Sequence, residues 1–232
     1  MHIPPCLHWV ELFGGSAPLS RFLGPSIPGA MFELDPTAFS DFTPALHSNV
    51  SCFNLDFLNA QSYLALLDTA AKDIFIYADP PYLHSSRKSS RNIYNFESSD
   101  QLHESLLSMA AASSSNFAIS HYQCDLYDEI LHSWNRYDFQ TYDRYGARIE
   151  SLYFNYEVPH ELACYDLLGS NYTTRQGFGR KKARWLANMK RMPVVERNAL
   201  IHAFAQEIGF SSFQIETSLK NGSQPARSEA SH

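Results

Sequence analysis

The tetrapeptide Asp79-Pro80-Pro81-Tyr82 carries the clearest chemical signal in this sequence. It follows an apolar run, residues 74–78, that predicts a buried β-strand. Because two successive prolines fix φ and cannot extend a sheet, Asp79 and the adjoining carbonyl oxygens become a rigid set of hydrogen-bond acceptors. Tyr82 supplies a flat wall beside them. Acceptors next to an aromatic wall suit a planar amine, such as the amine of an adenine base.

The elements around this tetrapeptide alternate between strands and helices. Short apolar runs predict five strands, at residues 7–13, 29–34, 50–55, 74–78 and 117–120. Between them, helices are predicted at residues 37–46, at 59–69 with Asn59 as N-cap, and from Ser99 or Asp100 to about Met109. This alternation predicts a parallel sheet in an α/β domain.

The second half of the chain has a different pattern. Residues 137–142 and 149–157 are strand-like and are joined by Asp143-Arg144-Tyr145-Gly146, which predicts an antiparallel hairpin. After Pro159 the chain is mostly helical and basic, and from Ser211 onward its polar composition is typical of disorder. We therefore expect three regions: a catalytic domain (1–158), a helical basic part packed on it (159–210) and a disordered tail (211–232).

Three further groups follow predicted strands, at the edge where doubly wound sheets bind ligands. The first is the glycine pair Gly14-Gly15, where backbone can approach a ligand closely. The second is Glu33 with Asp35, where a carboxylate can bind a ribose diol. The third is Asp56. Each has a plain structural alternative: a tight turn, a solvated strand end and a helix-capping acid.

The composition restricts the class of protein. The chain has 232 residues, 44% of them hydrophobic, which is enough for one sizeable domain with a small appendage. No apolar run is long enough to span a bilayer and no signal-peptide pattern opens the chain, so we expect a cytoplasmic protein. The four cysteines form no CxxC pair, which suggests neither a zinc site nor a disulfide framework.

The net charge of −6 conceals a local basic segment. Residues 175–191 contain no acid and seven basic side chains: Arg175, Arg180, Lys181, Lys182, Arg184, Lys190 and Arg191. This pattern fits a solvated helix face, with Trp185, Leu186 and Met189 packed inward, and it also fits a surface that neutralises phosphates. The two interpretations are compatible.

In order and spacing, these motifs resemble the N6-adenine DNA methyltransferases of the D12 class, the Dam-like branch common in phages and restriction–modification systems. The resemblance runs from about Pro4 to Phe204 and includes residues 119–122, 150–156 and 180–185. It implies a Rossmann-like S-adenosylmethionine-dependent methyltransferase fold, α/β, whose mostly parallel sheet ends in a C-terminal antiparallel hairpin. It also implies S-adenosylmethionine as cofactor and double-stranded DNA as partner, with no metal and no membrane.

The resemblance assigns roles to individual residues. Segment 11–17 is similar to the motif that wraps the methionine part of the cofactor, residues 33–35 to the ribose-binding motif, and residues 54–57 to the motif that binds the cofactor's adenine. The cofactor residues it implies are Phe13, Gly14, Gly15, Ser16, Glu33, Asp35, Asp56 and Phe57, with Asp35 as the preferred ribose ligand. Those implied for catalysis are Asp79, Pro80 and Tyr82; those for nucleic acid are Arg87, Lys88, Arg91, Arg180, Lys181, Lys182 and Arg184.

One departure from the family pattern bears on function. Only residues 1–10 precede Glu11, whereas family members usually carry a Tyr-Pro-Gly-Gly-Lys-like segment and a helix that covers the cofactor. Three interpretations stay open: a DNA adenine methyltransferase, an RNA adenine methyltransferase, and a catalytically impaired DNA-binding relative. The intact tetrapeptide favours an enzyme, and the absence of any recognisable RNA-binding domain favours DNA.

Overall fold

One seven-stranded mixed sheet organises the first part of the chain. The computed structural model describes residues 2–42, 47–83, 100–143, 146–166, 168–169 and 171–207. Within these ranges the strands are β1 (His8–Leu12), β2 (Gly29–Phe32), β3 (Val50–Phe53), β4 (Ile74–Ala78), β5 (Asn116–Tyr122), β6 (Asn135–Asp143) and β7 (Gly146–Phe154). They are ordered β3-β2-β1-β4-β5-β7-β6.

The pairing directions confirm the predicted fold class. β1 to β5 pair in parallel, whereas β7 runs antiparallel to both β5 and β6. The first five positions repeat the order of a doubly wound sheet, and the predicted hairpin takes the place of a sixth parallel strand. β6 is longer than predicted, and β7 has the predicted length but begins three residues earlier. The hairpin closes between Asp143 and Gly146, which has a φ of +113°.

The helices connect and cover the strands. They are α1 (Pro18–Leu23), α2 (Pro36–Phe42), α3 (Ala60–Ala65), α4 (Asp100–Ala112), α5 (Asp125–Ile130), α6 (Tyr172–Arg191) and α7 (Val194–Glu207). None of these helices is long and apolar enough to cross a membrane. Residues 43–46, which were predicted to end the second helix, lie outside the described residues, as do Ser99 and the predicted tail at 211–232.

The third helix begins after Asn59 at the predicted N-cap position, but its predicted end was wrong. Asn59 makes no side-chain cap, and α3 ends at Ala65 rather than near residue 69. Asp56 is the cap instead: its Oδ1 accepts a hydrogen bond from the Leu58 amide at 2.9 Å and starts a short 3₁₀ turn, residues 57–59. The Asn59 side chain donates to the Asp56 carbonyl at 3.1 Å instead of capping α3, and composition alone does not resolve this choice.

The core lies where the central strands are covered on both sides. All five residues of β1 and all four of β2 are buried, as expected for strands enclosed by helices on both faces. The indole of Trp9 is fully buried, and its Nε1 donates to the Ile27 carbonyl at 3.0 Å. Gly29 on the neighbouring strand leaves the space for that ring, since a Cβ there would lie 2.1 Å from Trp9 Cε2.

The chain divides into two compact units, residues 1–163 and 164–232. The second contains α6 and α7. A reciprocal capping box starts α6: the Asn171 side chain accepts from the Thr174 amide, and the Thr174 hydroxyl accepts from the Asn171 amide. Trp185 and Leu186 are 54% and 50% exposed, so the prediction that they pack inward was wrong.

Replacing Gly29 with alanine tests the packing of the central strands. The added methyl group overlaps the Trp9 indole, so we expect a loss of about 1–3 kcal/mol in the free energy of unfolding, measured with denaturant. The same change at Gly177 in α6, where a Cβ meets nothing within 4 Å, serves as the control and is expected to cause no loss. Equal stability of the Gly29 variant and the wild type would contradict the packing described.

Candidate active site

The candidate site lies where β4 ends, between its two parallel neighbours. Ala78, the last residue of β4, pairs with Leu12 of β1 and with Ile119 of β5. Asp79 therefore leaves the sheet at the same edge as the glycine turn after β1 and the end of β5. Solvent reaches Asp79, yet protein atoms enclose its carboxyl group on most sides. That enclosure, together with the charge of Glu150, raises the pKa of Asp79 to about 6.

The Tyr82 hydroxyl connects Asp79 to a second acid on the hairpin. It lies 3.3 Å from Asp79 Oδ1 and 3.0 Å from Glu150 Oε1, so its one proton is shared between two carboxylates. Ser120 of β5, itself buried, also donates to Glu150 Oε1. The Tyr82 ring lies against Tyr122, with 4.3 Å between ring centroids.

Glu150 was not predicted as a site residue. The sequence analysis placed it only in the last strand, and its partner Tyr82 lies 68 residues away in the chain. A signal was present, because Glu150 alternates with Leu152 and Phe154 and therefore lies on the same face of the strand as two large apolar residues. An acid next to large apolar residues on one strand face is a candidate site residue.

Two buried histidines hold the tetrapeptide in place. His121 Nε2 accepts from the Leu83 amide at 3.1 Å, so the ring's proton is on Nδ1, which donates to the Tyr122 carbonyl at 2.6 Å. His103 Nε2 donates to the Pro81 carbonyl at 3.1 Å, and its Nδ1 accepts from the Tyr127 hydroxyl at 2.7 Å. His121 thus acts as a hydrogen-bonded strand-end residue, the role that the sequence analysis preferred to catalysis.

The glycine turn after β1 is fixed by backbone contacts. The Gly14 amide donates to the Phe32 carbonyl at 2.8 Å, and a Cβ on Gly14 would lie 2.4 Å from Met31 Cγ. Phe13, Gly15 and Ala17 all have positive φ, of 62°, 45° and 51°. The turn therefore folds the backbone tightly at the sheet edge and leaves Ser16 exposed.

Glu33 joins the glycine turn to the end of β2. Its Oε2 accepts from the Gly15 amide at 2.7 Å and its Oε1 from the Asp35 amide at 2.8 Å. Asp35 in turn accepts from the Thr37 amide at the start of α2, at 2.8 Å. The Asn54 side chain donates to the Glu33 carbonyl at 2.8 Å. Both acids therefore have a structural role at this edge, in addition to any ligand they bind.

The third strand adds Asp56 and Phe57 to the same edge. Asp56 caps the short turn that follows it. It therefore has the capping role that the sequence analysis gave as the alternative to ligand binding. The Phe57 ring is buried and lies 5.0 Å from that of Phe13, centroid to centroid. The two rings therefore connect the ends of β1 and β3 beside the glycine turn.

Glu11 is a buried acid beneath this turn. Its side chain is 1% exposed; Oε1 accepts from the Leu19 amide at 3.3 Å, and Oε2 has no hydrogen-bond partner among the described residues. Burial raises the pKa of Glu11 to about 8, and the nearby charge of Asp79 contributes to the same direction. Glu11 belongs to the predicted first motif, but the sequence did not indicate its isolation from solvent.

The predicted nucleic-acid residues fall either outside the described residues or in the second unit. Arg87, Lys88 and Arg91 lie outside the described residues. Arg180, Lys181, Lys182 and Arg184 lie on α6, in the second unit, and Lys182 pairs there with Asp166 at 3.1 Å. Across the described ranges, no three His, Cys, Asp or Glu side chains converge on a possible metal site.

The donor set at the sheet edge fits a nucleoside cofactor. Accessible main chain at the glycine turn, carboxylates at the ends of β2 and β3, and the Phe13–Phe57 ring pair suit a ligand with a ribose diol, an aromatic base and a charged tail. The sheet is doubly wound, ends in an antiparallel hairpin and carries these groups at the carboxyl ends of its parallel strands. This is the fold class of the Rossmann-like methyltransferases.

Comparison with known families identifies the domain. Residues 44–145 match the family model of the D12 class N6 adenine-specific DNA methyltransferases. The matched segment includes Asp56, the Asp79 tetrapeptide and β5. The match indicates a methyltransferase, and S-adenosylmethionine is the cofactor of the matched family. No curated protein matches the chain.

Solved structures with similar folds are distant in sequence. The 23S rRNA methyltransferase ErmE is 14% identical, with a TM-score of 0.42, and the match covers 76% of this chain and 77% of that one. N-methyltransferase NodS from Bradyrhizobium japonicum is 12% identical, with a TM-score of 0.43, over 66% of this chain and 88% of that one. The N-terminal domain of human METTL16 in complex with SAH is 10% identical, with a TM-score of 0.41, and the match covers 66% of this chain and 62% of that one.

The buried carboxyl of Glu11 predicts a pH-dependent stability. Because its pKa is raised from 4.5 to about 8, the folded chain keeps a proton that the unfolded chain releases within this range. Relative to a Glu11→Gln variant, the wild type should therefore lose stability as pH rises from about 4.5 to 8, by at most ~1.4 kcal/mol per pH unit. Denaturant unfolding at pH 5 and pH 8 measures the difference.

The exposed acid Glu157 provides the control for this prediction, since Glu157→Gln is the same chemical change. Its difference from the wild type should be the same at both pH values. A Glu11→Gln difference that is also independent of pH would show that Glu11 titrates normally.

Proposed function

We propose that the protein transfers a methyl group from S-adenosylmethionine to the N6 amine of a flipped-out adenine in DNA. The observation that carries the proposal is the position of Asp79. Its solvent-accessible carboxylate lies at the end of β4, beside Tyr82, and at the same edge of the sheet as the glycine turn that follows the adjacent strand β1. The match to a family of adenine-specific DNA methyltransferases supports this assignment.

The cofactor would lie across the ends of β1, β2 and β3. We assign its methionine part to the glycine turn, residues 13–16, its ribose diol to Asp35 with Glu33, and its adenine to Asp56 and Phe57. When bound, S-adenosylmethionine supplies a methyl group on a cationic sulfur, and the amine's lone pair forms the new N–C bond while the S–C electron pair stays on sulfur.

The residues of the tetrapeptide would activate and orient the amine. An aromatic amine is a poor nucleophile because its lone pair is delocalised into the ring. Hydrogen bonds from its two hydrogens to Asp79 and to the Pro80 carbonyl would favour a pyramidal nitrogen with its lone pair directed away from the ring plane. Positive charge then develops on nitrogen, next to acceptors already in place.

Tyr82 would hold the base outside the duplex. The target nitrogen is not accessible within stacked DNA, so the adenine must leave the helix, and a flat aromatic side chain compensates for part of the lost stacking. Contact with Tyr122 supports one side of the Tyr82 ring, and the hydrogen bonds of its hydroxyl restrict its rotation. The wall predicted from sequence is therefore supported by neighbouring side chains.

RNA as the substrate and loss of catalysis are the two competing functions. An RNA adenine methyltransferase would use the same acceptors, and a catalytically impaired relative would bind DNA without methyl transfer. The family match favours DNA, and the accessible Asp79 carboxylate favours catalysis. We further propose that Arg87, Lys88 and Arg91 and the basic residues of α6 contact the phosphate backbone.

One assay distinguishes the three functions. The protein is incubated with cofactor carrying a labelled methyl group and, separately, with duplex DNA and with RNA, and the digested nucleosides are analysed for N6-methyladenosine and its deoxy form. We expect label in DNA. Label only in RNA would establish the RNA alternative, and DNA binding without any label would establish the impaired one.

Replacing Asp79 with alanine should reduce methyl transfer by at least about 100-fold, because one preorganised group at the developing charge is lost. Asp73→Ala is the matched control, since Asp73 precedes the opposite end of β4, and it should keep wild-type activity. Circular dichroism confirms that both variants fold. Full activity of Asp79→Ala would remove Asp79 from the mechanism.

The proposed phosphate contacts predict a salt effect. Combined alanine substitution of Arg180, Lys181 and Arg184 should weaken binding to duplexes of any sequence, and each lost contact should reduce the slope of log affinity against log salt by about 0.9. Lys72→Ala, an exposed lysine before β4, is the control. An unchanged slope, measured by fluorescence anisotropy, would show that α6 does not contact the backbone.

A further inference from the structure

Glu150 lies in the candidate catalytic pocket, although the hairpin that carries it begins more than fifty residues after the tetrapeptide. Its Oε1 accepts hydrogen bonds from Tyr82 and from Ser120. The Tyr82 hydroxyl also lies 3.3 Å from Asp79 Oδ1. One phenol thus lies between two acids, and one of them is the residue assigned to the reacting amine.

The contacts arise from the sheet register. β4 and β5 are adjacent parallel strands, and Ala78 pairs with Ile119, so Asp79 leaves the sheet next to Ser120. β5 then pairs with β7, where Ser120 is opposite Leu152 and Tyr122 is opposite Glu150. Because β7 is antiparallel, its N-terminal part lies at the edge where the parallel strands have their carboxyl ends. Glu150 is therefore brought to that edge.

We propose that Glu150 is a positioning residue for methyl transfer: it fixes the Tyr82 hydroxyl between two acids and places a second negative charge beside Asp79. This inference rests on the proposed function. The carboxylate of Glu150 acts through Tyr82 and Asp79, and the hydrogen bond from Ser120 holds it in place.

The second charge has a chemical consequence at Asp79. After the methyl group has moved, the nitrogen carries a positive charge and must lose one proton. The N–H bond breaks, its electron pair stays on nitrogen, and an O–H bond forms on the Asp79 carboxylate. A neighbouring negative charge makes that carboxylate a better proton acceptor, and it also stabilises the positive charge on nitrogen.

Several ionisable groups face Asp79 from the surrounding elements. Burial is the main cause of its raised pKa, about 6, and the charge of Glu150 is the second. The other facing groups are Glu11 on β1, Tyr77 on β4, Tyr82 in the tetrapeptide and Tyr127 on α5. On β7, Arg148 lies over the Tyr122 ring, 5.5 Å from its centroid. Among these groups Glu150 is the acid whose removal should lower the pKa of Asp79 most.

Glu150→Gln separates charge from hydrogen bonding, because the amide oxygen still accepts from Tyr82 and Ser120. We expect kcat for DNA methylation to fall by about tenfold with little change in KM for DNA, and the acid limb of the pH–rate profile to move to lower pH. Glu157→Gln, the same change at an exposed position after β7, is the control. Wild-type kcat and an unmoved acid limb in Glu150→Gln would overturn the proposal.

A second measurement needs no turnover. In protein labelled with ¹³C at aspartate carboxyl groups, the Asp79 resonance is assigned by its loss in Asp79→Asn and then followed with pH. Its midpoint should be lower in Glu150→Gln than in the wild type and in Glu157→Gln. An unchanged midpoint would overturn the proposal. Failure of the wild type to methylate DNA or RNA would instead contradict the proposed function, and the titration would still decide whether Glu150 acts on Asp79.

Discussion

The parallel alignment of β1, β4 and β5 is the constraint on which the rest of the structure depends. Because the last residue of β4 is paired on both sides, the chain must leave the sheet at Asp79 in a fixed place, next to the turn after β1. Two prolines then prevent further pairing and hold the carbonyl groups rigid. Hydrogen bonds of the sheet therefore position the main groups at this edge.

Around this edge, polar side chains hold the backbone of the segments that could bind a ligand. His121 and His103 anchor the backbone on either side of Tyr82, at Leu83 and Pro81. Glu33 connects the glycine turn to β2. Each interaction satisfies a backbone group that would otherwise be buried without a partner, so the same bonds stabilise the fold and limit motion at the candidate site.

The candidate site concentrates acidic groups at a cost in stability. Glu11, Asp79 and Glu150 lie near one another, and burial raises the pKa of the first two, to about 8 and about 6. Such a cluster is unfavourable for the isolated fold and favourable for a cationic sulfur and a developing ammonium. The proposed function accounts for this arrangement, since charge that weakens the folded state would stabilise the transition state.

The sequence by itself determined the alternating elements, the hairpin, the motif at the end of β4 and the glycine turn. These follow from hydrophobic periodicity and from proline and glycine chemistry, which act over a few neighbouring residues. Helix ends were less predictable: Asn59 has the N-cap position of α3, but its side chain donates to the Asp56 carbonyl and the helix ends at Ala65. Only the tertiary structure decided that Glu150 joins Asp79, that His103 and His121 support the tetrapeptide and that Glu11 is isolated from solvent. Those contacts join residues far apart in the chain, through a strand order and register that no local pattern encodes.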